Sequence, residues 1–307
     1  MTKPAILVFA YHDVGYECLD ALIQNDEYIV AVITHENNPE EEIWFRSVAG
    51  LAEEYDIPVH TPESVNTPEW TERIRAMEPD LILSFYYRNM IKEEILNIPR
   101  LGAFNMHGSL LPKYRGRVPI NWAVLHGEQT TGVTLHHMVK RADAGDIVDQ
   151  EPVVIGPDDT TRDVFTKCVG AARLVLERRI EGLTTGKAPR RKQDESQATT
   201  FGGRKPEDGR IDWTQSAESI YNLIRAVTHP YPGAFTEIDG TRLFIWQAKP
   251  LHEGEGKPGT VLSADPLRIA CGNGGLELST LQWEKRSEEQ ASDRTHGLMA
   301  GEVLGSS

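Results

Sequence analysis

Asn105 and His107 stand two residues apart in the stretch FNMHGSLLPKYRGRVP, residues 104–119. On a β-strand, residues two apart point to the same side, so the amide and the imidazole would lie next to each other. A second strand-like run, TGVTLHHMV, leads into KRADAGDIV and brings the carboxylate of Asp143 into a loop that we expect at the same edge. An Asn, a His and an Asp that meet in one cleft suit acyl transfer to an amine.

Each of the three side chains has a possible part in such a reaction. The amide of Asn105 can donate a hydrogen bond to the oxygen that becomes negative in a tetrahedral intermediate, and a preorganised donor of this kind is worth about 3 kcal/mol. A carboxylate beside the His favours the imidazolium form. The imidazole of His107 could then act as an acid toward that oxygen, or carry the proton of the attacking amine.

Each residue also has a structural explanation. A lone His near a strand end is more often a satisfied core or surface residue, and Asn and Asp are common in turns, for which ADAGD is suited. His136 and His137 are adjacent, so they would face opposite ways on a strand and one metal ion would seldom bind both. Ser109 beside His107 could be drawn as a nucleophile with its base, but the GxSxG motif is absent. Spacing alone leaves both explanations open.

The elements that must position these residues follow a βαβ pattern. Short apolar runs at 5–11, 28–34, 80–85 and 101–106 alternate with segments of helical spacing. This order predicts a doubly wound α/β domain with a parallel sheet, which places functional sites at the carboxyl ends of its strands. The first strand runs into AYHDVGYECL without GxGxxG, and neither a P-loop nor HExxH occurs, which argues against a nicotinamide cofactor, nucleotide hydrolysis and zinc proteolysis.

The second part of the chain has a different composition. From about residue 186 the sequence becomes polar and rich in Gly, Lys and Arg, which predicts a linker. Later, AFTEI and TRLFIWQA flank Asp239-Gly240, a hairpin signal, and further short strands predict a small antiparallel barrel. We therefore expect a catalytic domain at 1–189, a linker at 190–210 and a barrel domain at 211–307.

Composition restricts the partners. The formal net charge of -14 argues against nucleic acid, whose backbone calls for a basic surface. Cys18, Cys168 and Cys271 lie far apart and are odd in number, so we expect buried, inert thiols and no metal site. The seven-residue apolar run AILVFAY is too short for a membrane span and lacks a cleavage site, so we expect a cytoplasmic protein without membrane insertion.

The same residues resemble the signature of the folate-dependent formyltransferases, which move a formyl group from 10-formyltetrahydrofolate to an amine. That signature is N-x-H-x-S-L-L-P-x-x-R-G with a distant D-x-G-x-I. IDWTQSAESIYNLIRAVTHPYPGAF also resembles the family's passage into its carboxy-terminal domain, so the resemblance covers nearly the whole chain and implies a Rossmann-like domain followed by an OB-like β-barrel. The matching positions are Asn105, His107, Ser109, Leu110, Leu111, Pro112, Arg115, Gly116, Asp143, Gly145 and Ile147.

The resemblance implies roles for individual residues. Asn105 and His107 would bind the oxyanion and handle the proton, and Asp143 would raise the pKa of His107. The co-substrate would be 10-formyltetrahydrofolate, and no metal would be needed. The implied folate contacts are Asn89, Met90, Ile91, Arg117, Val139, Lys140, Arg141, Ala142 and Asp143.

Flanking segments narrow the acceptor within this family. VFAYHDVG, THENNPEE, SFYYRNMI and TLHHMVKRADAGDIV resemble the branch that formylates the amine of UDP-4-amino-4-deoxy-L-arabinose. In that branch a dehydrogenase-decarboxylase half is fused to the formyltransferase, whereas this chain ends at Gly305-Ser306-Ser307, so we expect an excised domain or a stand-alone enzyme. The alternatives are a methionyl-tRNA formyltransferase, another amino-sugar nucleotide N-formyltransferase, and a hydrolase or non-catalytic folate-binding module.

Overall fold

The computed structural model describes residues 3–39, 42–293 and 296–305. Glu40 and Glu41, which end the THENNPEE segment, and residues 306 and 307, which end the expected barrel domain, lie outside these ranges. The chain forms two compact units. The first holds the chain up to Pro119 together with Thr130–Val154 and Phe165–Gly202, and the second holds Ile120–Gln129, Ile155–Val164 and the chain from Gly203 onward.

The elements of the chain up to Phe201 alternate between strands and helices. The strands are β1 (Ile6–Ala10), β2 (Ile29–Ile33), β3 (Val59–His60), β4 (Leu81–Phe85), β5 (Ala103–His107), β6 (Arg115–Gly116), β7 (Thr130–His137), β8 (Ile147–Val154) and β9 (Thr200–Phe201). The helices are α1 (His12–Gln24), α2 (Val48–Glu54), α3 (Pro68–Ala76), α4 (Glu93–Leu96), α5 (Pro119–Leu125) and α6 (Thr161–Thr184).

Seven of these strands, all within the described ranges, form the sheet of the first unit in the order β3-β2-β1-β4-β5-β7-β8. The five strands from β3 to β5 are parallel, which confirms the predicted α/β domain. The last two, β7 and β8, run antiparallel to their neighbours. The sheet is therefore mixed at one edge, and the antiparallel direction of β7 determines where the loop that follows it, which carries Asp143, begins.

Apolar burial explains why the parallel strands form. β1 and β4 read ILVFA and LILSF and are buried at every position, as expected for strands covered on both faces. Helix α3 begins where the side chain of Thr67 accepts a hydrogen bond from the Trp70 N–H, with Pro68 at its first position. The sheet is thus a rigid base from which the strand ends project.

The second unit contains an antiparallel sheet and one further helix, α7 (Ala217–Val227). In its described part the strand order is β10-β11-β14-β13-β12, with β15 on β14. The predicted hairpin is confirmed, because β10 and β11 are joined by Asp239 and Gly240, which have φ of 49° and 76°. The strands are β10 (Ala234–Ile238), β11 (Thr241–Leu251), β12 (Val261–Ala264), β13 (Leu267–Ala270), β14 (Gly275–Trp283) and β15 (Glu289–Gln290).

The first half of the expected linker at 190–210 is bound to the first unit. The Arg191 N–H and C=O pair with the main chain of Ile147, and β9 pairs in parallel with β6. Each unit is also built from several separate stretches of the sequence, whereas the expected domains at 1–189 and 211–307 are each one continuous stretch. A segment that is held by main-chain hydrogen bonds does not need apolar side chains. Its polar composition is therefore the same as that of a linker.

Two features bear on the expectations from composition. All three cysteines are buried and free, and burial raises the pKa of the Cys168 and Cys271 thiols to about 12. Among the residues that the structure describes, no helix combines the length and apolar character needed to cross a bilayer.

Two glycines allow a test of the packing around β7. A Cβ at Gly132 would collide with the carbonyl oxygen of Glu151 and the side chain of Leu110. We expect Gly132→Ala to lower the free energy of unfolding by about 1–3 kcal/mol, measured by urea denaturation. Gly170 lies in α6, where an added Cβ would meet open space, so Gly170→Ala should raise that free energy by up to about 1 kcal/mol. Equal effects of the two variants would contradict the close approach of β7 and β8.

Candidate active site

The structure brings Asn105, His107 and Asp143 together. Asn105 and His107 lie on β5, and His107 is its last residue. His107 is only 7% exposed. Its Nε2–H donates to the carbonyl oxygen of Tyr114 at 2.8 Å, and its Nδ1 lies 3.5 Å from Oδ1 of Asp143. The ring is therefore held between a main-chain carbonyl and a carboxylate.

Asp143 reaches His107 by a route that differs from the predicted one. β7 is antiparallel to β5, so the end of β7 at His137 lies beside Phe104, near the start of β5 and not at its carboxyl end. The loop of residues 138–146 turns back from there. The turn needs Gly145, since a Cβ at that position would collide with the His137 carbonyl oxygen, and it places Asp143 in the left-handed region at φ 53°.

The carboxylate of Asp143 has a dense set of partners. Oδ2 accepts a hydrogen bond from the Gly116 N–H at 2.9 Å, and Oδ1 lies 3.5 Å from both His107 and His136. Burial raises the pKa of Asp143, but the protonated forms of the two imidazoles, which predominate at the low pH where a carboxylate titrates, and the Gly116 N–H outweigh it and hold that pKa well below its ordinary range. Asp143 is therefore ionised at neutral pH.

Asp143 acts on the pKa of His107 in the direction that the sequence predicts, but burial makes the net shift a decrease. Burial lowers the pKa of His107, and the charge of Asp143 together with the Tyr114 carbonyl offsets this only in part. The effect of Asp143 has the expected direction, yet desolvation is larger, so the pKa lies below the ordinary value of a His. At neutral pH His107 is therefore a neutral imidazole, and its surroundings stabilise the imidazolium once the ring gains a proton.

A second imidazole fixes the amide of Asn105. Because the Nδ1 of His136 faces the carbonyl oxygen of His137 at 2.9 Å, Nδ1 carries the proton and Nε2 can accept. The Asn105 Nδ2 lies 3.2 Å from that Nε2, so the amide turns its NH2 group toward His136. His137 faces the other way and approaches the Pro189 carbonyl, as predicted for adjacent residues on a strand. Within the described ranges, no group of three or more metal-ligating side chains occurs.

The residues expected to contact folate lie in three loops of the first unit. Asn89 and Met90 follow β4 and are exposed, whereas the side chain of Ile91 is buried in the core, so only its main chain could face a ligand. Arg117 follows β6 and is exposed. The remaining residues, Val139, Lys140, Arg141, Ala142 and Asp143, lie in the loop 138–146 that carries the candidate carboxylate.

A cluster of aromatic and basic residues, which the sequence patterns do not predict as a site, follows β1, β2 and β4. The ring of His35 stacks on Tyr87 at 4.3 Å, and the guanidinium of Arg88 lies 4.7 Å from the centre of the Tyr11 ring. His12 is in the left-handed region at φ 65° and stacks on Phe45 at 3.9 Å.

Burial lowers the pKa of both His12 and His35 to about 4, so both rings are neutral at pH 7. β1 and β4 flank the point where the strand order of the sheet reverses, which is where such sheets bind ligands. In the sequence, the Tyr, His and Arg residues directly after these strands are the signal from which this cluster could have been predicted.

An α/β sheet with an Asn, a buried His and an ionised Asp near one strand end has the groups that acyl transfer to an amine calls for. Comparison with protein families makes the class specific. Residues 2–180 match the model described as "Formyl transferase", and residues 204–298 match "Formyl transferase, C-terminal domain". This chain belongs to the formyl transferase family, so the predicted family and the enzyme class are confirmed.

Solved structures share the fold at low sequence identity. WlaRD, a sugar 3N-formyltransferase solved with dTDP and 5-N-formyl-THF, is 20% identical, with a TM-score of 0.68 over 94% of this chain and 100% of that chain. An N-formyltransferase from Helicobacter canadensis, in complex with folinic acid and dTDP-3-aminofucose, is 21% identical, with a TM-score of 0.65 over 90% and 98%. HypX from Aquifex aeolicus with tetrahydrofolic acid is 18% identical, with a TM-score of 0.66 over 97% and 49%. This chain therefore spans about half the length of HypX.

The geometry leads to a mutational test of the candidate site. We expect His107→Ala and Asp143→Asn each to lower kcat for formyl transfer by on the order of 10²- to 10⁴-fold, because a positioned proton-transfer group and its carboxylate partner typically contribute that much. Circular dichroism should show an unchanged fold. His137→Gln is the matched control, since His137 faces away from the site, and it should keep near wild-type kcat. A normal rate for His107→Ala would contradict the assignment.

Proposed function

We propose that this protein transfers the formyl group of 10-formyltetrahydrofolate to the 4-amine of UDP-4-amino-4-deoxy-L-arabinose. The observation that carries formyl transfer to an amine is the juxtaposition of Asn105, His107 and Asp143 at the end of β5 in a chain of the formyl transferase family. A folate donor is supported by WlaRD, the Helicobacter canadensis enzyme and HypX, which were solved with reduced folates. The first two were also solved with dTDP or a dTDP-sugar.

The proposed reaction is a direct acyl transfer. The acceptor amine attacks the formyl carbon, a C–N bond forms, and the formyl oxygen becomes negative in a tetrahedral intermediate. One N–H of Asn105 is held by His136, and the second N–H of the same amide donates to the oxyanion. The bond from the formyl carbon to N10 of the folate then breaks, and tetrahydrofolate leaves with the proton that the amine has lost.

His107 moves that proton. Its imidazole is neutral before the reaction because burial lowers its pKa, and its Nε2 already carries the proton that is donated to Tyr114. Nδ1 is therefore the atom that accepts a proton from the amine as the C–N bond forms. The imidazolium that results is stabilised by the ionised carboxylate of Asp143 and by the carbonyl of Tyr114. The same imidazolium can then donate the proton to N10 of the departing folate.

In this proposal, the folate binds against the three exposed loops that follow β4, β6 and β7. Asn89 and Met90, Arg117 and the loop 138–146 supply main-chain and side-chain groups for its ring system and glutamate. Since the loop 138–146 also carries Asp143, donor binding and the position of the catalytic carboxylate are coupled.

The cluster after β1, β2 and β4 supports a nucleotide acceptor. The half-buried rings of Tyr87 and Phe45, each stacked on a His, form an aromatic surface suited to a uracil base, and Arg88 offers a cation for a diphosphate. The neutral rings of His12 and His35 add hydrogen-bonding groups without charge. This chemistry fits a sugar nucleotide better than a nucleic-acid backbone.

The identity of the amino sugar rests on sequence likeness. VFAYHDVG, THENNPEE, SFYYRNMI and TLHHMVKRADAGDIV resemble the formyltransferase part of the bifunctional polymyxin-resistance protein, whose product serves lipid A modification. We accordingly propose a cytoplasmic enzyme that works with a dehydrogenase-decarboxylase, either fused to it or separate. The basic segment KAPRRK gives little support to a tRNA acceptor, because Arg190 pairs with Asp146 and Arg191 donates to Gln150.

A turnover assay tests the acceptor. Incubation with 10-formyltetrahydrofolate and UDP-4-amino-4-deoxy-L-arabinose should give the formamide, detected by mass spectrometry, with release of tetrahydrofolate. UDP-L-arabinose, which lacks the amine, is the matched control and should give no product. If the formyl group is transferred only to a different amino-sugar nucleotide, the proposed acceptor is wrong and that sugar nucleotide replaces it.

Formylation of methionyl initiator tRNA, with binding that weakens steeply as salt rises, would overturn the sugar-nucleotide proposal in favour of a tRNA substrate. Formate release that is independent of any amine would indicate a hydrolase.

A further inference from the structure

The segment of residues 193–201, which we call the strap, lies against both loops that hold His107. The Tyr114 N–H donates to Oγ1 of Thr199 at 2.8 Å, and the Arg115 N–H donates to the Thr199 carbonyl at 2.9 Å. The Arg117 N–H donates to the Phe201 carbonyl at 3.0 Å. The strap therefore fixes the loop whose Tyr114 carbonyl accepts the hydrogen bond from the Nε2–H of His107.

The side chain of Gln193 connects the strap to the other loop. Its Nε2 donates to the carbonyl oxygens of Asp143 and Gly145, each at 2.7 Å. Its Oε1 accepts from Arg115, at 2.7 Å from Nη2 and 3.1 Å from Nε. Since a carbonyl can only accept and a guanidinium can only donate, the orientation of this amide is fixed by its partners.

Arg115 anchors this arrangement from inside the unit. It is 1% exposed, although it is a charged residue, and its two terminal nitrogens donate to the two carboxylate oxygens of Glu195 at 3.0 and 2.6 Å. Such a bidentate pair is geometrically specific. The hydrogen bond from Arg115 holds the pKa of Glu195 below its ordinary value, so the pair stays charged. Arg115 thus holds Gln193 and Glu195 at the same time.

The backbone of Asp143 depends on such support. A non-glycine residue in the left-handed region costs on the order of 1 kcal/mol and persists only where its surroundings determine it. Gln193 donates hydrogen bonds to the carbonyl of Asp143 and to that of Gly145, two residues later. These two hydrogen bonds hold the loop on both sides of its strained part. The Gly116 N–H holds the carboxylate at the other end.

We propose that Gln193 is a positioning residue that sets the distance between the Asp143 carboxylate and His107, with Arg115 holding Gln193 in place. The inference rests on the proposed function, in which Asp143 stabilises the imidazolium of His107. The hydrogen bonds of the Gln193 side chain go to Arg115 and to the carbonyls of Asp143 and Gly145, so we assign it no direct contact with either substrate. The ion pair between Arg141 and Glu195 and the Gly116 N–H still hold the loop 138–146 when the two donated hydrogen bonds of Gln193 are lost, so the loop shifts locally rather than unfolding. A displacement of about 1 Å at a reacting group can cost on the order of 10²-fold in rate.

Gln193→Glu is the informative variant, because the carboxylate keeps the size and the acceptors for Arg115 but cannot donate to the two carbonyls. We expect it to lower kcat by on the order of 10- to 100-fold while the KM for the amino sugar stays within about threefold. Gln197→Glu adds the same charge at an exposed position of the strap and should behave as wild type. Equal kcat for the two variants would overturn the proposal.

A double-mutant cycle with Asp143→Asn separates positioning from a general loss of structure. If Gln193 acts through Asp143, then Gln193→Glu added to Asp143→Asn should lower kcat by less than about threefold further, whereas independent effects would multiply. Multiplying losses would overturn the proposal.

Hydrogen exchange gives a readout that needs no acceptor. Amides in the loop 138–146 should exchange faster in Gln193→Glu than in Gln197→Glu. If exchange is faster in Gln193→Glu but the wild type turns over no amino sugar, the proposed function is refuted while the role of Gln193 in holding the loop 138–146 stands. If exchange is the same in both variants, that role of Gln193 is refuted.

Discussion

The contact between the carboxylate of Asp143 and the buried ring of His107 is the interaction on which the rest of the site depends. Burial opposes the charged form of His107, and the carboxylate favours it, so the ring is neutral at rest yet stabilised when it takes up a proton. A solvent-exposed His would lack the first effect, and a buried His without Asp143 would lack the second. The balance makes the ring suited to accept a proton from an amine and return it to a leaving nitrogen.

The fold serves this contact in three ways. The buried parallel strands give β5 a rigid position, and the spacing of Asn105 and His107 on it puts both side chains on one face. The antiparallel β7 sets His136 opposite Asn105, where it fixes the amide. The strap of residues 193–201 then joins the loops on either side of His107. Elements far apart in the sequence are therefore needed to fix one distance of 3.5 Å.

The sequence supports prediction of the features that depend on local pattern. Continuous apolar runs indicate the parallel strands, Asp239-Gly240 indicates the hairpin, and the signature around Asn105 identifies the family. The direction of β7 is set by long-range pairing, so the route of Asp143 is not visible in spacing. Burial is a property of the folded state, and it reverses the net shift in the pKa of His107. Gln193 lies in a polar segment, where hydrogen bonds to main-chain carbonyls leave no mark on composition.

The pKa of His107 in the folded enzyme tests the central claim most directly. A pH titration followed by ¹⁵N NMR of the imidazole should give a pKa below 6.5, the ordinary value of a His, and the neutral ring should carry its proton on Nε2. Asp143→Asn should lower that pKa further, because it removes the charge that favours the imidazolium and leaves the burial unchanged. A wild-type pKa above 6.5, or one that Asp143→Asn does not change, would contradict the balance between burial and charge.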